Sequence, residues 1–126
     1  MSEERILLVD DEGELVFTLA ERLELRGFKV DAVTSGKEAV ALLETHAYDC
    51  AVFDVKMPGM GGGELLDQAC RLQPDLPVIM LTGHGSPHEE EGLDRCQAAH
   101  TVLYKPVLLD TLLEAMRNAK RSPRYD

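Results

Sequence analysis

At 126 residues, with 44% apolar and 29% charged side chains, the chain has the size and composition of one soluble globular domain. Its formal net charge of −10 argues against nucleic acid as a direct partner, because phosphate backbones select basic surfaces. No apolar run approaches the ~20 residues of a membrane-spanning helix, and Met1-Ser-Glu-Glu-Arg5 lacks the start of a secretion signal. A cytoplasmic protein without membrane contact is expected. Cys50, Cys70 and Cys96 are odd in number and widely spaced, which argues against a disulfide framework and a zinc site. Cys50 lies in an apolar run and should pack as a small hydrophobe.

Five apolar runs alternate with helical patterns, the mark of an α/β fold with a parallel sheet. Ile6–Val9 opens the series, and a helix follows with Leu15, Val16, Leu19, Ala20 and Leu23 on one face and Gly27 at its end. Phe17 and Leu25 point away from that face. Phe28–Val33 alternates polar and apolar residues, and Ser35-Gly-Lys-Glu38 reads as a capping box opening a second helix. Ala51–Phe53 is continuously apolar. A third helix after Gly61-Gly-Gly63 should bury Leu65, Leu66, Ala69 and Leu72. Val78–Leu81 is again continuously apolar, and Ser86-Pro-His-Glu89 starts a helix over 87–97 with few apolar residues and an interior Gly92. Thr101–Tyr104 is mixed, and Asp110 should cap a last helix burying Leu112, Leu113, Met116 and Ala119. Continuous runs suit central strands and alternating or mixed runs suit edges. The expected fold is thus a single doubly wound, five-stranded parallel sheet of order 2-1-3-4-5, a flavodoxin-like (βα)5 unit.

Ligands of such sheets bind beyond the carboxyl ends of the strands. There strand one presents Asp10 and Asp11, strand three Asp54, strand four Thr82 and strand five Lys105 before Pro106. Asp10 and Asp11 are also ordinary turn and N-cap residues. Three carboxylates in one crevice repel by about 4 kcal/mol per pair at 4 Å and an effective dielectric near 20. Either their pKa values rise or a cation sits among them. Oxygen donors without histidine or cysteine favour a hard ion such as magnesium. Thr82 can donate to a phosphoryl oxygen, Lys105 can balance its charge, and the carboxylate of Asp54 can itself be the nucleophile.

The segments Ile6-Leu-Leu-Val-Asp-Asp-Glu12, Asp54-Val-Lys-Met-Pro-Gly-Met60 with Gly62, Pro77-Val-Ile-Met-Leu-Thr-Gly83 and Lys105-Pro106 closely resemble those of a response-regulator receiver domain. The resemblance covers residues 4–121 and leaves 122–126 as a tail or the start of a linker. It implies that a histidine kinase or phosphotransfer protein phosphorylates Asp54 with magnesium, or another divalent cation such as manganese. Asp10, Asp11, Asp54 and the Lys56 backbone carbonyl would hold that metal, while Thr82 and Lys105 contact the phosphoryl group. It further implies a cis Lys105–Pro106 bond, tuning of the phosphate lifetime by Lys56 and His84, and output through the fourth helix, fifth strand and fifth helix. Those elements would serve a homodimer or a downstream effector domain. The domain would assist its own phosphorylation and dephosphorylation without being a stand-alone enzyme.

Four departures bear on the signalling route. Gly61 replaces a usual aspartate, and Val102 stands where an aromatic switch residue is usual. The stretch from Thr82 to Lys105 is one residue longer than usual, and its helix is poor in apolar residues. Tyr104 could replace the aromatic only from a place about 7 Å further along the strand. The loop after Thr82 and the helix over 87–97 are the favoured route instead. Two other classes fit the residues less well. A phosphatase with an aspartyl phosphate would want a second acid two residues after its nucleophile, where Lys56 stands. A flavin carrier would want a phosphate-binding loop after strand one, where Asp10-Asp-Glu12 repels anions.

Overall fold

The computed structural model describes residues 4–83 and 99–121. Strands β1 (Arg5–Val9), β2 (Lys29–Val33), β3 (Cys50–Asp54), β4 (Val78–Thr82) and β5 (Ala99–Tyr104) form one sheet of order β2-β1-β3-β4-β5. Every pairing is parallel. The described residues also form helices α1 (Gly13–Leu25), α2 (Gly36–Thr45), α3 (Gly62–Leu72) and α4 (Leu109–Arg121). The sheet has the expected flavodoxin-like order, with the alternating run at one edge and the mixed run at the other. α4 corresponds to the last of the expected helices. The helix expected over 87–97 lies outside the described residues.

Alternation along each central strand splits the core into two layers. Leu7, Val9, Ala51, Phe53, Val78 and Met80 face α2 and α3. Ile6, Leu8, Cys50, Val52, Ile79 and Leu81 face α1 and α4. Strands buried on both faces have no position for a polar side chain until they end. Phe53 is fully buried, and removing such a side chain from water stabilises a fold by ~2–3 kcal/mol. Cys50 behaves as the hydrophobe its run suggests: it is buried, and that burial pushes its thiol up to about 12.

The local signals act as read, with shifts at the ends. Arg26 caps α1 and Gly27 follows it at φ +97°, a conformation costly for any residue with a Cβ. Its N–H donates to the Glu24 carbonyl at 3.0 Å, and the Phe28 N–H donates to the Leu23 carbonyl at 3.2 Å, so the last turn is closed. The Ser35 Oγ accepts from the Glu38 N–H at 3.2 Å, and the Glu38 carboxylate accepts from the Thr34 N–H at 3.3 Å. Two expectations need correction. Leu72 is 38% exposed because α3 ends at it, and Leu76 closes that corner of the core instead. Asp110 lies within the first turn of α4, where its charge meets the positive helix end, because the Leu108 carbonyl already accepts from the Leu112 N–H.

Candidate functional site

Asp10 is the first residue past β1, and its N–H still donates to the Val33 carbonyl at 3.2 Å. That bond continues the sheet by one residue and carries the side chain into the interior, 3% exposed. Asp10 is also a turn residue, because its Oδ1 accepts from the Glu12 N–H at 2.9 Å. Asp11 is exposed beside it. Asp54 is the last residue of β3 and is 4% exposed. Each of these three aspartates offers a carboxylate oxygen, and the three oxygens lie within 4.8 Å of one another.

Strands β4 and β5 deliver the remaining parts. Thr82 ends β4, is 1% exposed and stands in register with Tyr104. The Lys105 N–H donates to the Thr82 carbonyl at 2.8 Å, and the Lys105–Pro106 bond is cis. A register shift lets β5 pass from Ala99 to Thr101 while β4 advances from Val78 to Ile79. That bulge takes up one residue of the connection and keeps Lys105 level with the acids.

The Lys105 Nζ lies 2.9 Å from Asp10 Oδ2, 3.1 Å from Glu12 Oε1 and 3.3 Å from Asp54 Oδ1. Burial alone would lower its pKa, but the bond to Asp10 and the charges of Asp54 and Asp10 outweigh burial and hold it above the ordinary lysine range. Asp54 is pushed up to about 6, first by burial and then by the charge of Asp10, with Lys105 pulling the other way and Asp11 adding to the rise. The site is therefore short of positive charge even with its lysine in place. An all-oxygen donor set with this deficit fits a hard divalent cation.

The structure thus brings together Asp10, Asp11, Asp54 and Lys105, and sets Thr82 at the adjoining strand end. Lys56, two residues past Asp54, has an exposed side chain. Val102 packs half-buried against the layer facing α2 and α3, and Tyr104 is 49% exposed. His84 lies outside the described residues. Sequence reasoning assigned no role to Glu12, the third carboxylate on Lys105. Only its place beside Asp10-Asp11 could have hinted at one, since its partner is 93 residues away.

Residues 6–117 match the family model described as the response regulator receiver domain. Over 120 residues the chain is 34% identical to the C4-dicarboxylate transport transcriptional regulatory protein DctD of Rhizobium meliloti, covering 94% of this chain and 26% of that protein. Its structure is similar to that of a CheY-like response regulator receiver domain protein from Methanospirillum hungatei, with TM-score 0.88, 32% identity and 95% of each chain covered. A response regulator protein from Burkholderia pseudomallei, crystallised with a phosphorylated aspartic acid, calcium ion and citrate, is similar at TM-score 0.83 and 28% identity over 94% of this chain and 70% of that one. The chain spans between about a quarter and about half the length of the curated relatives it matches.

Proposed function

The chain belongs to the response regulator receiver domain family of two-component systems, and from that premise we propose that it is a phosphorylation switch whose acceptor is Asp54. One observation carries this reading: Asp54 is a buried carboxylate at the end of the central strand, grouped with two further acids and 3.3 Å from a shared lysine. The related structure with a phosphorylated aspartic acid and a calcium ion supports both the chemistry and a divalent partner.

An Asp54 carboxylate oxygen attacks the phosphorus of a phosphohistidine on a histidine kinase or phosphotransfer protein. A phosphorus–oxygen bond forms, the phosphorus–nitrogen bond breaks, and the imidazole leaves. Asp10, Asp11, Asp54 and the Lys56 backbone carbonyl would hold magnesium or manganese. Such a cation supplies the positive charge that the acids and an incoming phosphoryl group require. Lys105 carries its ammonium to the phosphoryl oxygens, and the Thr82 hydroxyl donates to one of them. By resemblance to the family, Lys56 and His84 tune the phosphate lifetime. Output runs through β5, α4 and the sequence over residues 87–97, toward a homodimer or effector domain. The domain assists its own phosphorylation but is not a stand-alone enzyme, and its setting is the cytoplasm. Among the described residues, no helix is long and apolar enough to cross a membrane.

The test is intact mass after incubation with acetyl phosphate. Wild type gains one phosphoryl group with magnesium and none in chelator, and Asp54→Asn gains none in either. Labelling of Asp54→Asn, or labelling without a divalent ion, overturns the assignment.

A further inference from the structure

Glu12 occupies the N-cap position of α1, where its carbonyl accepts from the Val16 N–H at 3.0 Å, yet its side chain makes no capping bond. Glutamate is a poor choice for that position, which favours asparagine, aspartate and serine. Its carboxylate instead reaches Lys105 at 3.1 Å, while its N–H is fixed to Asp10 at 2.9 Å. Three carboxylates, those of Asp10, Glu12 and Asp54, lie within 3.3 Å of the Lys105 ammonium, and the contact with Glu12 has hydrogen-bond geometry whereas that with Asp10 Oδ2 does not. Two of those side chains are almost fully buried, and that of Glu12 is 63% exposed. A new anion on Asp54 therefore displaces Lys105 most readily from Glu12, whose carboxylate water can solvate at once.

We propose that Glu12 is a positioning residue, a tether that holds Lys105 back and releases it when a phosphoryl group arrives. The proposal rests on the reading of Asp54 as the acceptor. Glu12 then sets how much of the lysine's attraction for the phosphoryl group is spent on breaking an existing contact. The effect should be the size of one exposed ion pair, about two- to fivefold in affinity.

Glu12→Gln removes the charge. Glu12→Asp keeps the charge but shortens the arm and offers α1 a better cap, so it too should let go of Lys105. The purified full chain is titrated with beryllofluoride at saturating magnesium and followed by fluorine NMR. Magnesium alone is titrated separately by calorimetry. Both variants should bind beryllofluoride about two- to fivefold tighter than wild type, and Glu12→Asp should bind magnesium alone as wild type does. If Glu12→Gln tightens while Glu12→Asp stays at wild type, distant charge rather than contact is at work and the tether is refuted. Wild-type affinity in both variants, or equal losses for magnesium and beryllofluoride, also overturns it. A wild-type chain that binds no beryllofluoride refutes the Asp54 assignment itself, and that failure is recognisable because no variant is needed to see it.

Discussion

Beside the starts of β1 and β3, polar side chains are knit together by hydrogen bonds with Arg5 Nε alone left over among those described, whereas at the carboxyl end of the same sheet three aspartates and a glutamate gather around one lysine. In the first region the Tyr48 hydroxyl donates to Asp31 at 2.7 Å and Arg5 approaches Asp31 at 3.5 Å. The Arg5 guanidinium lies 5.6 Å from the centre of the Tyr48 ring, and the Arg5 N–H donates to Asp49 at 2.8 Å. Gln73 adds a stitch, accepting from the Tyr48 N–H and donating to the Leu43 and His46 carbonyls. Burial and the bond to Asp31 hold the Tyr48 hydroxyl above the ordinary tyrosine range, so it remains a donor. In the second region burial, and after it the charge of Asp10, pushes Asp54 up to about 6 in spite of Lys105. A polar cluster knit mainly by neutral and backbone hydrogen bonds fixes a structure, and one crowded with like charges stores a demand that a ligand can meet.

The sharpest way to break this contrast is to titrate the unbalanced end. Asp54 has its folded pKa raised to about 6 from an ordinary 3.8, so its contribution is fully present below the unfolded value and is lost as pH rises through about 6. Metal-free wild type should therefore lose about 1–2 kcal/mol relative to Asp54→Asn between about pH 5 and about pH 8. Denaturant unfolding in chelator reads this difference, and parallel pH profiles for the two proteins would refute it. Asp31→Ala attacks the matched region and should cost about 1–2 kcal/mol by stranding the buried Tyr48 hydroxyl. Adding Tyr48→Phe to that variant should cost little more, because the partner is already gone.

A smaller effect belongs to the loop that follows β3. A Cβ on Gly36 would lie 2.9 Å from the Cβ and sulfur of Met60, so the loop after Asp54 must shift. Gly36→Ala should cost about 1 kcal/mol in thermal unfolding and also weaken magnesium binding, which a mere packing defect far from the site would leave intact. The smallest change is expected at Tyr104, half-exposed in register with Thr82. Tyr104→Ala should take up phosphate as wild type does and keep any activation-linked shift over residues 83–97, read by backbone NMR with beryllofluoride. Loss of that shift with phosphate uptake intact would make Tyr104 the switch.

The order and edges of the sheet were legible because burial on two faces writes itself as unbroken apolar runs, as in Ile6–Val9 and Val78–Leu81. Asp10, Asp54, Thr82 and Lys105 were legible because each ends such a run, where polarity returns abruptly. Leu72 misled because a helical period does not say where its helix stops. Asp110 misled because it is equally at home in the first turn. The Arg5–Asp31–Tyr48 cluster left no local trace at all. Arg5 lies 26 residues and Tyr48 17 residues from the Asp31 they share, and each resembles an ordinary surface residue until the sheet brings them together.

Lys105 and Glu12 meet across 93 residues, nearly the whole length of the described fold. Parallel strands joined by long crossovers close such contacts late, after the local turns and helices have formed. On the ribosome, the acids of β1 and β3 emerge well before the ammonium that balances them. Until β5 docks against β4, the nascent sheet carries an uncompensated cluster of carboxylates at its open end. A cation from the surrounding fluid can occupy that cluster in the interval, so magnesium supply should influence how fast the last strand is captured.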